Sequence, residues 1–162
     1  MVTKMNLDFE FWCGYISKLG EMLGLNSQII RLMDEPCPKD NEALLFPYFD
    51  KPFVDLYLCW DWEQHSPQEQ RRTLIHEMLH LWQVPMRNLV AKEGHKYLPK
   101  VAGRMFGDIY NREEERYCEG LAYAICELFP LPQKEVRPAE TEYESVLDLG
   151  DKNAGYKTPV IN

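Results

Sequence analysis

The chain has 162 residues, a formal net charge of -8, and 45% hydrophobic and 27% charged residues, which fits one folded domain with a hydrophobic core. The acidic balance argues against a nucleic-acid backbone or an anionic membrane as the main partner. No stretch approaches the roughly 20 apolar residues of a membrane span, and residues 1–10 lack the apolar core of a signal peptide, so we expect a cytoplasmic protein.

The first third of the chain predicts one helix followed by three strands. Residues 7–23 carry apolar side chains at helical spacing, and residues 29–33 form a short apolar run typical of a strand. Residues 43–48 and 53–62 are rich in aromatic and aliphatic side chains and are separated by turn-forming residues. We expect these last two segments to pair as antiparallel strands.

The next helix is the most clearly delimited element of the sequence. Ser66 suits the N-cap, Pro67 the first helical position, and Glu69 closes a capping box. The pair Val84-Pro85 is predicted to end the helix, because a residue before proline avoids the α region. Apolar side chains point in nearly every direction around this helix, which predicts that it is buried. They are Leu74, Ile75, Met78, Leu79, Leu81 and Trp82.

Three more helical pieces are predicted after the proline. Residues 85–92 form the first, which Glu93-Gly94-His95 is expected to break. Residues 101–106 form the second, ended by a glycine. Residues 111–129 form the second clear helix, which Pro130 stops.

These elements predict an α+β fold. A small antiparallel sheet is expected to pack on the N-terminal helix, on the buried helix that begins at Ser66, and on the helix of residues 111–129. Residues 1–132 are predicted to form the domain. Residues 133–162 are polar, with Pro and Gly, and are predicted to form a C-terminal tail.

His76-Glu77-Met78-Leu79-His80 reads H-E-x-x-H within the buried helix. Histidines four apart share a helical face, so His76 and His80 can converge on one metal ion, and imidazole ligands favour Zn²⁺. The carboxylate of Glu77 lies at the edge of that face, where it can act as general base toward a water activated by the metal. The alternative is a pair of core histidines that are hydrogen-bonded to their neighbours.

A catalytic zinc usually takes three protein ligands, so one more residue is needed. The sequence after His80 lacks the glycine and the third histidine of the H-E-x-x-H-x-x-G-x-x-H pattern. The helix of residues 111–129 offers Glu114, Glu115 and Glu119. At least one is predicted to bind the metal, and another can accept a hydrogen bond from a ligating histidine. The alternative is a solvated acidic helix face.

The H-E-x-x-H motif, followed some tens of residues later by a helix with E-x-x-x-[D/E], resembles the gluzincin metallopeptidases. More narrowly, it looks like their minimal one-domain forms, many of them phage- or prophage-encoded. The resemblance covers about residues 66–130 and implies a zincin-like fold. It also implies that Glu115 is the third zinc ligand and that Glu119 supports a ligating histidine. Glu119 stands where the family usually has Asp, so an exchange of these roles, or a shift to Glu114, stays open.

His95 is the rival third ligand. It follows His80 by fifteen residues, and a third histidine after such a gap resembles the SprT-like metallopeptidases. His65 is expected to be a surface residue at the start of the helix, or to line the cleft. Three tyrosines near the motif helices are expected to be aromatic core rather than groups that act on a substrate. They are Tyr97, Tyr117 and Tyr123.

The five cysteines are odd in number and form no C-x-x-C pair, which argues against a disulfide framework or a cysteine-rich zinc site. Each is expected to be a small buried hydrophobic residue. They are Cys13, Cys37, Cys59, Cys118 and Cys126.

The sequence therefore predicts a zinc-dependent peptidase in which Glu77 is the general base. Its expected substrate is a peptide or protein, which could pair with a free strand edge if one lies over the cleft. The alternative is a non-catalytic binding module that the metal stabilises, with Glu77 idle. The oligomeric state is left open.

Overall fold

The computed structural model describes residues 7–37, 41–48 and 51–133, except for the side chains of residues 94 and 95. The predicted tail lies outside the described residues from position 134 onward. Among the described residues, no helix is both long and apolar enough to cross a membrane. The elements in chain order are α1 (Phe9–Met22), β1 (Ile29–Leu32), β2 (Ala43–Pro47), β3 (Phe53–Leu58), α2 (Pro67–Tyr97) and α3 (Lys100–Ile125), with 3-10 turns at Trp62–Gln64 and Cys126–Leu128.

The predicted N-terminal helix and the three strands are confirmed, with shorter bounds. The carboxylate of Asp8 caps α1 by accepting a hydrogen bond from the backbone N–H of Phe11 at 3.2 Å. Gly24 follows the end of α1 with φ of 72°, in the left-handed region where only glycine is free of strain. The capped start and the glycine after the end explain why local sequence was enough to place this helix.

The sheet is mixed, so the prediction of an antiparallel sheet is wrong in one of its two pairings. The strand order is β1-β3-β2, with β2 antiparallel to β3 as expected and β1 parallel to β3. An apolar run has the same pattern in either direction, and only the path of the chain decides how it pairs. Because β3 enters between the two earlier strands, its side chains are the most buried of the sheet, with Leu56 and Leu58 fully enclosed.

The start of α2 is as predicted. The backbone N–H of Ser66 donates to Glu69 Oε2 at 2.9 Å, and the backbone N–H of Glu69 donates to Ser66 Oγ at 3.3 Å. These reciprocal bonds are the capping box that the sequence indicates.

The predicted end of this helix at Val84-Pro85 is wrong, because α2 continues through Pro85 to Tyr97. A proline inside a helix removes one backbone hydrogen bond and crowds the carbonyl four residues earlier, which costs about 3 kcal/mol. Two tertiary interactions oppose that cost. α3 packs along α2, and Arg87, just after the proline, pairs with Glu114 of α3. Packing between helices therefore overrides the local signal.

The later helical boundaries are also wrong for this reason. The predicted break at residues 93–95 lies inside α2, and the two pieces predicted at residues 101–106 and 111–129 belong to the single helix α3. α3 passes through Gly107 and ends at Ile125, ahead of the predicted stop at Pro130. An internal glycine costs a helix only about 0.5–1 kcal/mol, which a long packed helix tolerates.

The core lies between α1, the sheet and the first half of α2. The rings of Trp12 and Trp62 meet edge to face at 5.5 Å between centroids, and both are fully buried. The six apolar residues of α2 that were predicted to be buried lie in this core, except for Trp82, which is 47% exposed and so does not fit the prediction. The first half of α2 is thus largely buried, with the polar residues of the motif facing α3, whereas Met86 and Leu89 beyond Pro85 are exposed.

Candidate metal centre

Three side chains from α2 and α3 converge on one point. His76 and His80 lie one helical turn apart on α2, with their Nε2 atoms 3.1 Å from each other. Glu115 of α3 places Oε2 at 3.4 Å from His76 Nε2 and 3.5 Å from His80 Nε2. We refer to His76, His80 and Glu115 as the His–His–Glu cluster.

The spacing of these atoms suits a tetrahedral metal ion. Zinc–nitrogen and zinc–oxygen bonds are about 2.0–2.1 Å long, so two ligand atoms of a tetrahedral zinc are about 3.4 Å apart. The three observed separations, 3.1, 3.4 and 3.5 Å, fall around that value. Two imidazoles and one carboxylate are also a donor set that zinc accepts, with the fourth position left open. The residues therefore fit a zinc ion.

Each histidine of the cluster also has a carboxylate beside its other ring nitrogen. His80 Nδ1 is 3.0 Å from Glu114 Oε1, and His76 Nδ1 is 3.3 Å from Glu119 Oε2. The second pair is close but poorly aligned, so His76 Nδ1 is buried without a hydrogen bond among the described residues. A carboxylate that accepts a hydrogen bond from Nδ1–H keeps the proton on that nitrogen and leaves the Nε2 lone pair facing the cluster, as metal binding requires.

Glu114 is anchored from two sides. It is 5% exposed, and the Arg87 guanidinium reaches both of its oxygens, with Nε at 3.1 Å from Oε2. Burial by itself raises the pKa of Glu114, but the hydrogen bonds from Arg87 and His80 outweigh it and hold the pKa below its usual value. Glu114 is one of the predicted candidates, whereas Arg87 was not predicted, because its contact with Glu114 depends on α2 continuing past Pro85 alongside α3.

Glu77 directly follows His76 on α2 and is half-buried. Burial raises the pKa of Glu77 to about 7, and the negative charge of Glu115 adds to the rise. A hydrogen bond from the backbone of Leu45, in β2, and the charge of Arg87 oppose it in part. A carboxyl group with such a pKa can both take up and release a proton near neutral pH.

The surroundings of His76 favour its neutral form. Burial lowers its pKa, the nearby His80 lowers it further, and the carboxylates of Glu115 and Glu119 only partly offset this. A histidine must be neutral to bind a metal through its nitrogen lone pair.

An open cleft of about 620 Å³ leads to the cluster. One wall is the stretch 41–45, which includes the first half of β2, and the other carries the motif residues and Arg72 of α2. Among the described residues β2 pairs only with β3, so its outer edge is not covered by another strand. The cluster is therefore reached along the free edge of the sheet.

Several other sequence predictions meet a different outcome. The side chain of His95 lies outside the described part of the structure, so its role as a ligand stays a prediction. The three tyrosines predicted as core are exposed, and none of them lines the cleft. The prediction of burial is wrong for Cys13, which is exposed on α1, while Cys126 is half-buried and the other three are buried. No disulfide joins the five cysteines, all of which are described. A helical pattern assigns faces only relative to one another, and packing decides which face is covered.

Comparison with known protein families, with curated proteins and with solved structures found no match to this chain.

Proposed function

We propose that the protein is a zinc-dependent peptidase of the gluzincin type, with His76, His80 and Glu115 as metal ligands. The observation that carries the proposal is the convergence of these three ligand atoms beside Glu77 in an open cleft. The H-E-x-x-H motif of the sequence and the spatial arrangement of these side chains both support the same kind of metal site.

The positions of the other carboxylates support Glu115 as the third ligand. Glu114 is turned to His80 Nδ1 and Arg87, and Glu119 is turned to His76 Nδ1, so both lie behind the histidines. His95 is separated from His80 by fifteen residues of one continuous helix. That corresponds to about 22 Å of axial rise, so the three-histidine alternative requires α2 to break.

The residues of the cleft suit peptide hydrolysis. His76, His80 and Glu115 would hold the zinc ion, which would supply a Lewis acid to polarise a carbonyl and acidify a water. Glu77 then takes the proton of the attacking water and delivers it to the leaving amine, a transfer for which a pKa of about 7 is well matched. The cleft is open rather than sealed by a fourth protein ligand, which favours the enzyme over the metal-stabilised binding module.

The substrate class follows from the edge of the sheet. A peptide in extended conformation can add to β2 as a further strand, with main-chain hydrogen bonds that do not depend on its sequence. That mode of binding places its backbone along residues 43–45, which line the cleft beside Glu77. We therefore expect a peptide or an unfolded segment of a protein as substrate.

The test is metal content combined with cleavage. Protein purified without added metal should hold about one equivalent of zinc in the cleft, which His80→Ala should lose. Glu77→Gln should keep that zinc and the fold but lose cleavage of a denatured protein such as unfolded casein. Glu113→Gln, a nearby exposed residue of α3, is the matched control and should cleave like the parent. If Glu77→Gln cleaves as fast as the parent, the hydrolytic mechanism fails and the binding module replaces it.

The ligand assignment is tested by a series of alanine variants. Glu115→Ala should weaken zinc binding most, because it removes a ligand. Glu119→Ala should weaken it by about 10–100-fold, as losses of partners behind a ligand do. His95→Ala should leave the affinity unchanged. If His95→Ala loses the metal and Glu115→Ala keeps it, the three-histidine alternative is correct. If Glu119→Ala has the largest effect, the two carboxylates exchange roles.

A further inference from the structure

A second group of metal-binding side chains lies between β3 and α2. Cys59 follows β3, Asp61 lies in the connecting turn, and His65 directly precedes the N-cap of α2. His65 Nε2 is 3.6 Å from Cys59 Sγ and 3.8 Å from Asp61 Oδ1, and all three ligand atoms lie within 4.8 Å of one another. We refer to these three residues as the Cys–Asp–His cluster.

The arrangement differs from that of a catalytic triad. In a triad the nucleophile and the acid lie on opposite ring nitrogens of the histidine, so that the acid orients the base. Here the thiol and the carboxylate both lie on Nε2 of His65. The three side chains therefore offer their ligand atoms on one side of the histidine ring, close enough together for a single cation to contact all of them.

Two separations within the cluster are close to those around a tetrahedral ion. With zinc–sulfur bonds of about 2.3 Å and zinc–nitrogen bonds of about 2.0–2.1 Å, the two ligand atoms are about 3.6 Å apart. The observed distance from Cys59 Sγ to His65 Nε2 is 3.6 Å. The separation of 3.8 Å between His65 and Asp61 is a few tenths of an ångström longer than zinc requires, and rotation of the half-exposed carboxylate can close it.

The surroundings are also suitable. The cluster opens into a cavity of about 280 Å³. Among the described residues that line this cavity there is no lysine or arginine. A second cysteine, Cys37, lines the same cavity, and its backbone N–H bonds to the carbonyl of Leu58, which places it beside the end of β3. The cavity thus has room for a fourth ligand, either water or the sulfur of Cys37.

We propose that Cys59, Asp61 and His65 bind a divalent transition-metal ion, with Zn²⁺ as the best match to a thiolate, an imidazole and a carboxylate. This site is separate from the His–His–Glu cluster and shares no ligand with it. The ion ties the end of β3 to the residue before the capping box of α2. It therefore holds in place the start of the helix that carries His76 and Glu77, and its role is structural.

Cobalt distinguishes the two sites, because a thiolate ligand gives Co²⁺ an intense charge-transfer band in the near ultraviolet and the His–His–Glu cluster has no sulfur ligand. The full-length parent, reduced and stripped of metal, is titrated with Co²⁺. The band should appear in the parent and persist in His80→Ala. In Cys59→Ser it should be lost if water is the fourth ligand and weakened if the sulfur of Cys37 is. Cys13→Ser, which removes an exposed thiol of α1, should retain the full band.

A second pair of variants covers the case in which Cys59→Ser does not fold, as circular dichroism reports. His65→Ala and Asp61→Asn change half-exposed side chains, and each should weaken cobalt binding at this site. His65→Ala should weaken it by more than about 100-fold, which is a larger loss than the removal of a residue that only supports a ligand would cause. Zinc should raise the Tm of His80→Ala and leave that of the His65→Ala, His80→Ala double variant unchanged. Absence of the band in the parent, or an undiminished band in folded Cys59→Ser or in His65→Ala, overturns the proposal. The cobalt band and the effect of zinc on the Tm can both be measured whether or not the protein cleaves peptides.

Discussion

Truncation of Glu114 to alanine should be the most informative single change in the protein. Glu114 is 5% exposed and joins His80 of α2 to Arg87, which lies beyond the proline of the same helix. The change removes the partner of both groups at once. It should lower the stability of the metal-free protein, and it should separately lower the affinity for zinc.

The size of the stability loss follows from burial. Removing one partner of a buried ion pair costs about 3–5 kcal/mol, because the other charge is left without compensation. The Arg87 side chain is 37% exposed and can regain water, which reduces the expected loss to about 2–3 kcal/mol. For a chain of this size, the Tm should fall by roughly 5–10 °C. The zinc affinity should fall by about 10–100-fold, as for other residues that orient a ligating histidine.

The assay is urea denaturation in the presence of a chelator, followed by zinc titration of the refolded protein against a competing dye. Glu113→Ala is the matched control, because Glu113 is exposed on the same turn of α3 and, within the described part of the chain, pairs only with arginines at the surface. It should change stability by less than about 0.5 kcal/mol and leave zinc binding intact. If Glu114→Ala and Glu113→Ala have the same urea midpoint, the reasoning from burial is refuted. If their zinc affinities agree, Glu114 does not orient His80.

Four further predictions concern the helices. Gly107→Ala should stabilise the protein by about 0.5–1 kcal/mol, since the glycine lies inside α3 with open space around it, and a loss on urea denaturation would contradict this. Gly24→Ala should destabilise it by about 1–2 kcal/mol, because its φ of 72° is strained for alanine, and an unchanged midpoint would exclude that strain. Ser66→Ala should cost about 0.5–2 kcal/mol through loss of the cap, measured in the same way. Hydrogen bonds from Ser66 hold the pKa of Glu69 below its usual value of about 4.3. The free energy of unfolding of the parent should therefore exceed that of Glu69→Gln by its full amount above that pH, and the difference should shrink as the pH falls through the lowered pKa. A difference that does not change with pH would count against the capping box.

The sequence alone determined the features that depend on neighbours along the chain. The capping box at Ser66 and the glycine after α1 are local devices, and they predicted the start of α2 and the end of α1 correctly. The pairing of β2 with β3 was also predictable, because a short connection between two apolar runs favours an antiparallel pair. The four-residue spacing of His76 and His80 fixed their common face before any packing was known.

Tertiary structure decided whatever depends on residues that are distant in the chain. Local rules end a helix at Pro85, yet packing of α2 on α3 and the contact from Arg87 to Glu114 carry the helix past it. The direction of β1 depended on the path of the chain. The orientations of the three glutamates around the histidines, and the approach of His65 to Cys59, depended on how the helices and the turn are placed in space. A sequence pattern gives the order of side chains along one element, and only the packing of elements brings ligand atoms within reach of a single ion.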